Sequence, residues 1–118
     1  MDRRSHVIEE KIMSQNIINF DKFFKKNPIV WDKFLEYSDN ARYRTDKLGV
    51  AMIWERLRWY SKFETTEIQF KLNNNYKSFY ARLYMAYRNC PKFFNTRGSL
   101  ADDYDYNYYV KLIAIWGE

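Results

Sequence analysis

The chain has 118 residues, 47% hydrophobic and 30% charged, with a net charge of +5 at neutral pH. This length provides for one compact core, and the balance excludes a disordered tract. One His and one Cys exclude a His/Cys metal cage and an intrachain disulfide framework, while 3 Gly and 2 Pro disfavour a turn-rich sandwich or barrel.

At the N-terminus, Ser5 is placed to cap a helix whose narrow apolar stripe is Val7, Ile8 and Ile12. Phe20, Phe23 and Phe24 continue at helical spacing between Lys22, Lys25 and Lys26. The spacing predicts an N-terminal arm or helix over 1–19, attached to a helical core domain over 20–100. Asn27-Pro28 is a helix start, since Pro at the first helical position loses no hydrogen bond. Val30, Trp31, Phe34 and Leu35 then predict a helix from Pro28 to about Ser38. Arg42–Thr45 reads as a short basic extended piece. Val50, Ile53, Trp54, Leu57 and Tyr60 form the clearest helical stripe, predicting a helix over about 49–62.

Residues 63–72 read as a connector or short strand. Asn73, Asn74 and Asn75 offer a cap for a helix over about 75–89, with Tyr76, Phe79, Tyr80, Leu83, Ala86 and Tyr87 on its apolar face. Pro91 stops that helix, and Phe93–Ser99 reads as extended, entering a turn at Gly98. In 104–116, Tyr104, Tyr106, Tyr108, Val110 and Leu112 alternate as a strand, while Tyr109, Leu112, Ile113 and Trp116 fit a helix. Aromatic and β-branched enrichment favours the strand. The expected core is Trp31, Phe34, Ile53, Trp54, Leu57, Phe79, Leu83 and Tyr87. The fold class is mainly α, with the element order of a winged helix-turn-helix and a short C-terminal β or extended segment.

Charge is laid out unevenly. Residues 45–100 carry ten Lys/Arg against four Asp/Glu, whereas residues 101–118 carry one against four. A concentrated positive face attracts phosphate backbones through counterion release. The tail is acidic and Tyr-rich, and its apolar surface predicts docking on the core. The apolar runs Val50–Trp54 and Leu112–Trp116 are far short of the ~20 residues of a membrane span. Glu9, Glu10 and Lys11 interrupt any signal-peptide core. A cytoplasmic location without membrane attachment is expected.

Enzyme chemistry finds little support. His6 is isolated near a terminus, and Cys90 stands at a helix C-terminus, where the dipole does not activate a thiol. Asp102, Asp103 and Asp105 lack the Gly and the later Glu of a calcium loop. No phosphate-binding glycine motif or nucleophile elbow is present. A non-enzyme without cofactor or metal is expected. The informative segment is Lys71–Arg88. Three Asn at a helix N-terminus suit phosphate and adenine, and Lys77, Ser78 and Arg82 fall one turn apart, away from Phe79 and Leu83. With Lys71 and with Arg97 in the wing, they form the candidate nucleic-acid-binding set, for which duplex DNA is the expected partner.

Trp54-Glu55-Arg56-Leu57-Arg58-Trp59, Phe70-Lys71-Leu72-Asn73-Asn74-Asn75-Tyr76, Tyr80-Ala81-Arg82-Leu83-Tyr84-Met85, Pro91 and Phe93-Phe94-Asn95-Thr96-Arg97, with Asn27-Pro28 before them, carry a resemblance. Over about residues 20–97 the chain resembles a family of small, largely uncharacterised proteins encoded by bacteriophages and prophages. The resemblance implies viral origin and action inside a bacterial host. Two functions follow as expectations: a phage DNA-binding protein, or an anti-CRISPR-like inhibitor that binds a host defence protein. Tyr, Trp and Arg dominate protein-interface hot spots, and the same aromatic excess is compatible with a homodimer.

Overall fold

The computed structural model describes residues 3–66, 72–95 and 105–116, with side chains from residue 15 onward. The protein is mainly helical. Its elements are α1 (Arg3–Lys26), α2 (Pro28–Arg42), α3 (Val50–Trp59), a π-helical turn (Tyr60–Glu64), a 3₁₀ turn (Asn74–Tyr76), α4 (Lys77–Arg88) and α5 (Asn107–Trp116).

α1 runs without a break across residue 19, so the expected arm and the start of the core share one helix. Asn27 closes it: its backbone N–H donates to the Phe23 carbonyl at 3.0 Å and its side-chain amide to the same oxygen at 3.2 Å. Pro28 then opens α2 at a position where no donor is needed. α2 buries Val30, Trp31, Phe34 and Ser38 and continues to Arg42, four residues beyond the expected end. Ion pairing of Asp39 with Arg88 holds that last turn helical. The expected extended piece at 42–45 is instead a helix end and a turn, with Arg44 and Thr45 N–H groups both donating to the Ala41 carbonyl.

α3 buries Ile53, Trp54 and Leu57. The wider π turn replaces its expected last turn and takes in Phe63 and Glu64, where a connector or strand was expected. The remainder of that expected strand, 67–71, lies outside the described residues.

α4 is the central helix. Phe79 through Met85 are buried without interruption, against α2, α3 and α5. Asn89 ends it in the left-handed conformation (φ 54°), which Asn tolerates well, and the Cys90 N–H returns to the Met85 carbonyl at 2.9 Å. Beyond it, one parallel bridge joins Leu48 to Phe94. No other strand pairing occurs among the described residues, and the expected wing at Thr96–Ser99 lies outside them.

The C-terminal segment corrects an expectation. Residues 107–116 form α5, not a strand. Tyr106, Tyr109 and Ile113 are buried at i, i+3 and i+7, and that face has a helical surface to dock on. Tyr109 meets Phe20 and Phe24 edge-on at 5.2 and 5.1 Å, and its hydroxyl donates to Asp21 at 2.9 Å. Burial of these rings outweighs the local β preference of Tyr and Val. The core is one cluster from Phe20 to Ile113. It contains every expected core residue except Tyr87, which is half-buried with its ring edge-on to Trp31 at 5.5 Å.

Candidate nucleic-acid interface

The N-terminal end of α4 is built by the three asparagines in different ways. Asn73 takes the cap role: its side-chain oxygen accepts the Asn75 N–H at 2.9 Å and its carbonyl the Tyr76 N–H at 3.0 Å. Asn74 accepts from the Arg58 guanidinium, which also donates to Glu55. The two most distinctive sequence segments, 54–59 and 70–76, therefore meet through one arginine. Asn75 is exposed, and Lys77 and Ser78 are half-exposed.

Arg82 departs from expectation. It is only 7% exposed, and its guanidinium donates to the Ser78 carbonyl at 3.1 Å. A helix buried at 79, 80, 81, 83, 84 and 85 has no solvent side left at 82, so this arginine belongs to the packing and not to an outer polar face. For the same reason α4 cannot lay its length in a DNA groove; only its two ends are accessible. Lys71 and Arg97 lie outside the described residues.

Sequence reasoning missed the contribution of α1. Lys22 and Lys26 line a groove of about 310 Å³ with Asn19, Phe23 and Tyr76. The Phe23 and Tyr76 rings pack at 4.7 Å and hold the C-terminal turn of α1 against the start of α4. The lysine side chains thus border the N-terminal end of α4, where the helix dipole favours anions. The signal was present in Lys22, Lys25 and Lys26, at i, i+3 and i+4 opposite the phenylalanines. Lys25 turns to the tail instead: it pairs with Asp21 at 3.2 Å and lies 5.2 Å from the Tyr108 ring centre. Hydrogen bonding to Tyr108 and then to Asp21 raises its pKa.

Beside Arg58 stands an exposed aromatic pair. Trp59 is 58% and Phe63 68% exposed, with ring centres 4.7 Å apart. Met52, two turns earlier on α3, is also 68% exposed. Arg56 pairs with Glu64 at 2.7 Å and covers the Tyr37 ring at 4.5 Å.

The opposite end of α4 holds a second polar cluster. Asp39 accepts from the Tyr84 hydroxyl at 2.7 Å and from Arg88 Nη2 and Nε at 2.6 and 3.1 Å, bordering a cleft of about 470 Å³ with Arg42 and Tyr43. Burial pushes the Asp39 carboxyl up, but the Arg88 and Tyr84 hydrogen bonds outweigh it and hold it below the usual carboxylate range. Burial, and then the bond to Asp39, push the Tyr84 hydroxyl up. Burial also raises the Cys90 thiol, the reverse of activation. Among the described residues, no three His, Cys, Asp or Glu side chains gather as metal ligands. No described helix is long and apolar enough to cross a membrane.

Fold and site together define a small helical protein with a lysine-bordered groove and an exposed aromatic pair. No family model matches the chain, and neither a curated protein nor a solved structure matches it.

Proposed function

We propose that the chain is a non-enzymatic, phage-encoded nucleic-acid-binding protein that acts in the cytoplasm of a bacterial host. The observation that carries the reading is the groove in which Lys22 and Lys26 of α1 meet Tyr76 at the start of α4, next in sequence to the exposed Asn75 and the half-exposed Lys77. Two lysines one turn apart on α1 face the positive end of the α4 dipole, an arrangement suited to gripping a phosphate backbone. In this reading α4 presents its end to the ligand, and Asn73 and Asn74 shape the turn that does so.

Binding should therefore be strongly salt-dependent. The test is anisotropy titration of a labelled oligonucleotide across salt concentrations with wild type and a Lys22→Ala/Lys26→Ala/Lys77→Ala variant. Each lost phosphate contact should lower the slope of log K against log salt by about 0.7–0.9. An unchanged slope in the folded variant removes this face as the contact.

A second reading, an anti-CRISPR-like inhibitor of a host defence protein, is favoured by a different observation. Tyr108 and Ile115 of α5 are exposed although the other side of that helix is packed. Pull-down from host lysate with and without nuclease separates the two: nuclease-resistant recovery of one stoichiometric host protein favours the inhibitor.

A further inference from the structure

We infer that the nucleic acid is single-stranded, and that Trp59 and Phe63 are the platform on which its bases stack. This rests on the nucleic-acid reading above and names its substrate class. Side-chain reading of duplex DNA needs an element that enters a groove, and α4 is buried from Phe79 to Met85. A single strand needs no such element. It offers unstacked base faces to aromatic rings and its phosphates to a positively charged track.

Both parts are present and joined. Trp59 and Phe63 are exposed, and their rings are tilted 51° from each other, so they do not stack face to face. The wider π turn that carries Phe63 is a helical irregularity often found at functional sites. Arg56, Arg58 and Lys62 lie within the same two turns, against Glu55 and Glu64. Arg58 reaches Asn74, two residues before Tyr76, which borders the groove of Lys22 and Lys26. The asparagine turn thus links the aromatic pair, through Arg58, to the start of α4 and the α1 lysines. Charge also selects the occupant. Glu64 pairs Arg56 and Glu55 pairs Arg58, so Lys62 leaves the patch with a net positive charge; a second copy docking through it would bring like charge together, whereas a polyanion complements it.

The test uses the full chain, an oligothymidylate of about 12 nucleotides and a duplex of equal length, at low and moderate salt. Trp59 is the most exposed tryptophan among the described residues, so its fluorescence should be quenched on binding. The oligothymidylate should bind more tightly than the duplex, and Trp59→Ala and Phe63→Ala should each weaken it roughly tenfold or more. Thermal melts control for folding, and Trp59→Phe, which keeps a stacking ring, should restore most of the affinity. Tighter duplex binding overturns the inference. So do folded alanine variants that bind oligothymidylate like wild type; in both cases nucleic-acid binding itself stands. Loss of a nuclease-resistant host-protein capture in these variants, with oligothymidylate binding unchanged, assigns the patch to a protein and overturns it as well. If neither probe binds at low salt, the nucleic-acid reading falls and this inference with it.

Discussion

Tyr80→Phe removes one oxygen atom from the middle of the core and should stabilise the protein. Tyr80 is fully buried, with its ring 5.3 Å from Phe20, 5.5 Å from Phe34 and 5.4 Å from Trp54. Its hydroxyl finds no hydrogen-bond partner among the described residues. A buried hydroxyl without a partner costs about 1–3 kcal/mol. Phenylalanine keeps every ring contact and leaves a void of about 10 Å³, worth about 0.2 kcal/mol at ~24 cal/mol per Å³. The expected net gain is at least about 1 kcal/mol, or roughly 4 °C in Tm for a chain of this length. Urea denaturation and thermal melts at neutral pH read both quantities. Burial also holds the Tyr80 pKa well above its ordinary value of 10.0. Because the folded value is the higher one, that group's contribution is fully present below pH 10.0 and is lost as pH rises beyond it. The advantage of the variant should therefore widen on the alkaline side. Tyr84→Phe is the control of opposite sign: its hydroxyl bonds Asp39, so the variant should lose about 1.5–3 kcal/mol. A Tyr80→Phe variant that loses 1 kcal/mol or more would refute the reasoning and show that the hydroxyl is paired in the native state.

Arg82→Ala should cost about 1–3 kcal/mol through lost packing and the lost guanidinium hydrogen bond to Ser78, whereas Lys77→Ala should change stability by less than about 0.5 kcal/mol; parallel urea curves compare them. Asp39 contributes stability that is present above its ordinary value of 3.8 and lost as pH falls below it, because its folded pKa is the lower one. Asp39→Asn should accordingly trail wild type at about pH 7, and the gap should narrow by about pH 3. Tyr109→Ala should cost about 3–5 kcal/mol, since α5 is bound to the core by that ring; a melt within a degree or two of wild type would mean that α5 docks elsewhere.

Legibility followed the periodicity. α2, α3 and α4 each carry a stripe with a period near 3.6 and a start or stop residue, and Trp31, Phe34, Trp54, Leu57 and Leu83 were placed inside on that basis alone. Two periods compete in residues 104–116. The alternating tyrosines read as a strand, while Tyr109, Leu112, Ile113 and Trp116 read as a helix, and the choice belongs to α1, which supplies Phe20 and Phe24 as the docking surface. A tertiary surface of this kind has no local signature. Arg82 misled for a related reason: a helical wheel assumes one wet side, and α4 has none over that stretch. The lysines of α1 were visible as residues, but their meeting with Tyr76 spans some fifty positions and needed the fold. Trp59 and Phe63 were missed as a pair because the expected helix stops at 62, whereas the π turn carries it on to Glu64 and takes in Phe63.

The bridge between Leu48 and Phe94 closes a loop. The Leu48 N–H donates to the Phe93 carbonyl at 2.9 Å, and the Asn95 N–H donates back to the Leu48 carbonyl at 3.1 Å. The stretch between, roughly 45 residues, contains α3, the asparagine turn and α4, and closing a loop of that length costs about 3 kcal/mol of chain entropy. Two hydrogen bonds cannot meet that cost alone, so the clasp forms only once the helices inside it have packed. It is a late event in folding, and its two amides report on the loop as a whole. In native-state hydrogen exchange, Leu48 and Asn95 should become exposed together, in one opening step, and not in succession as fraying ends do.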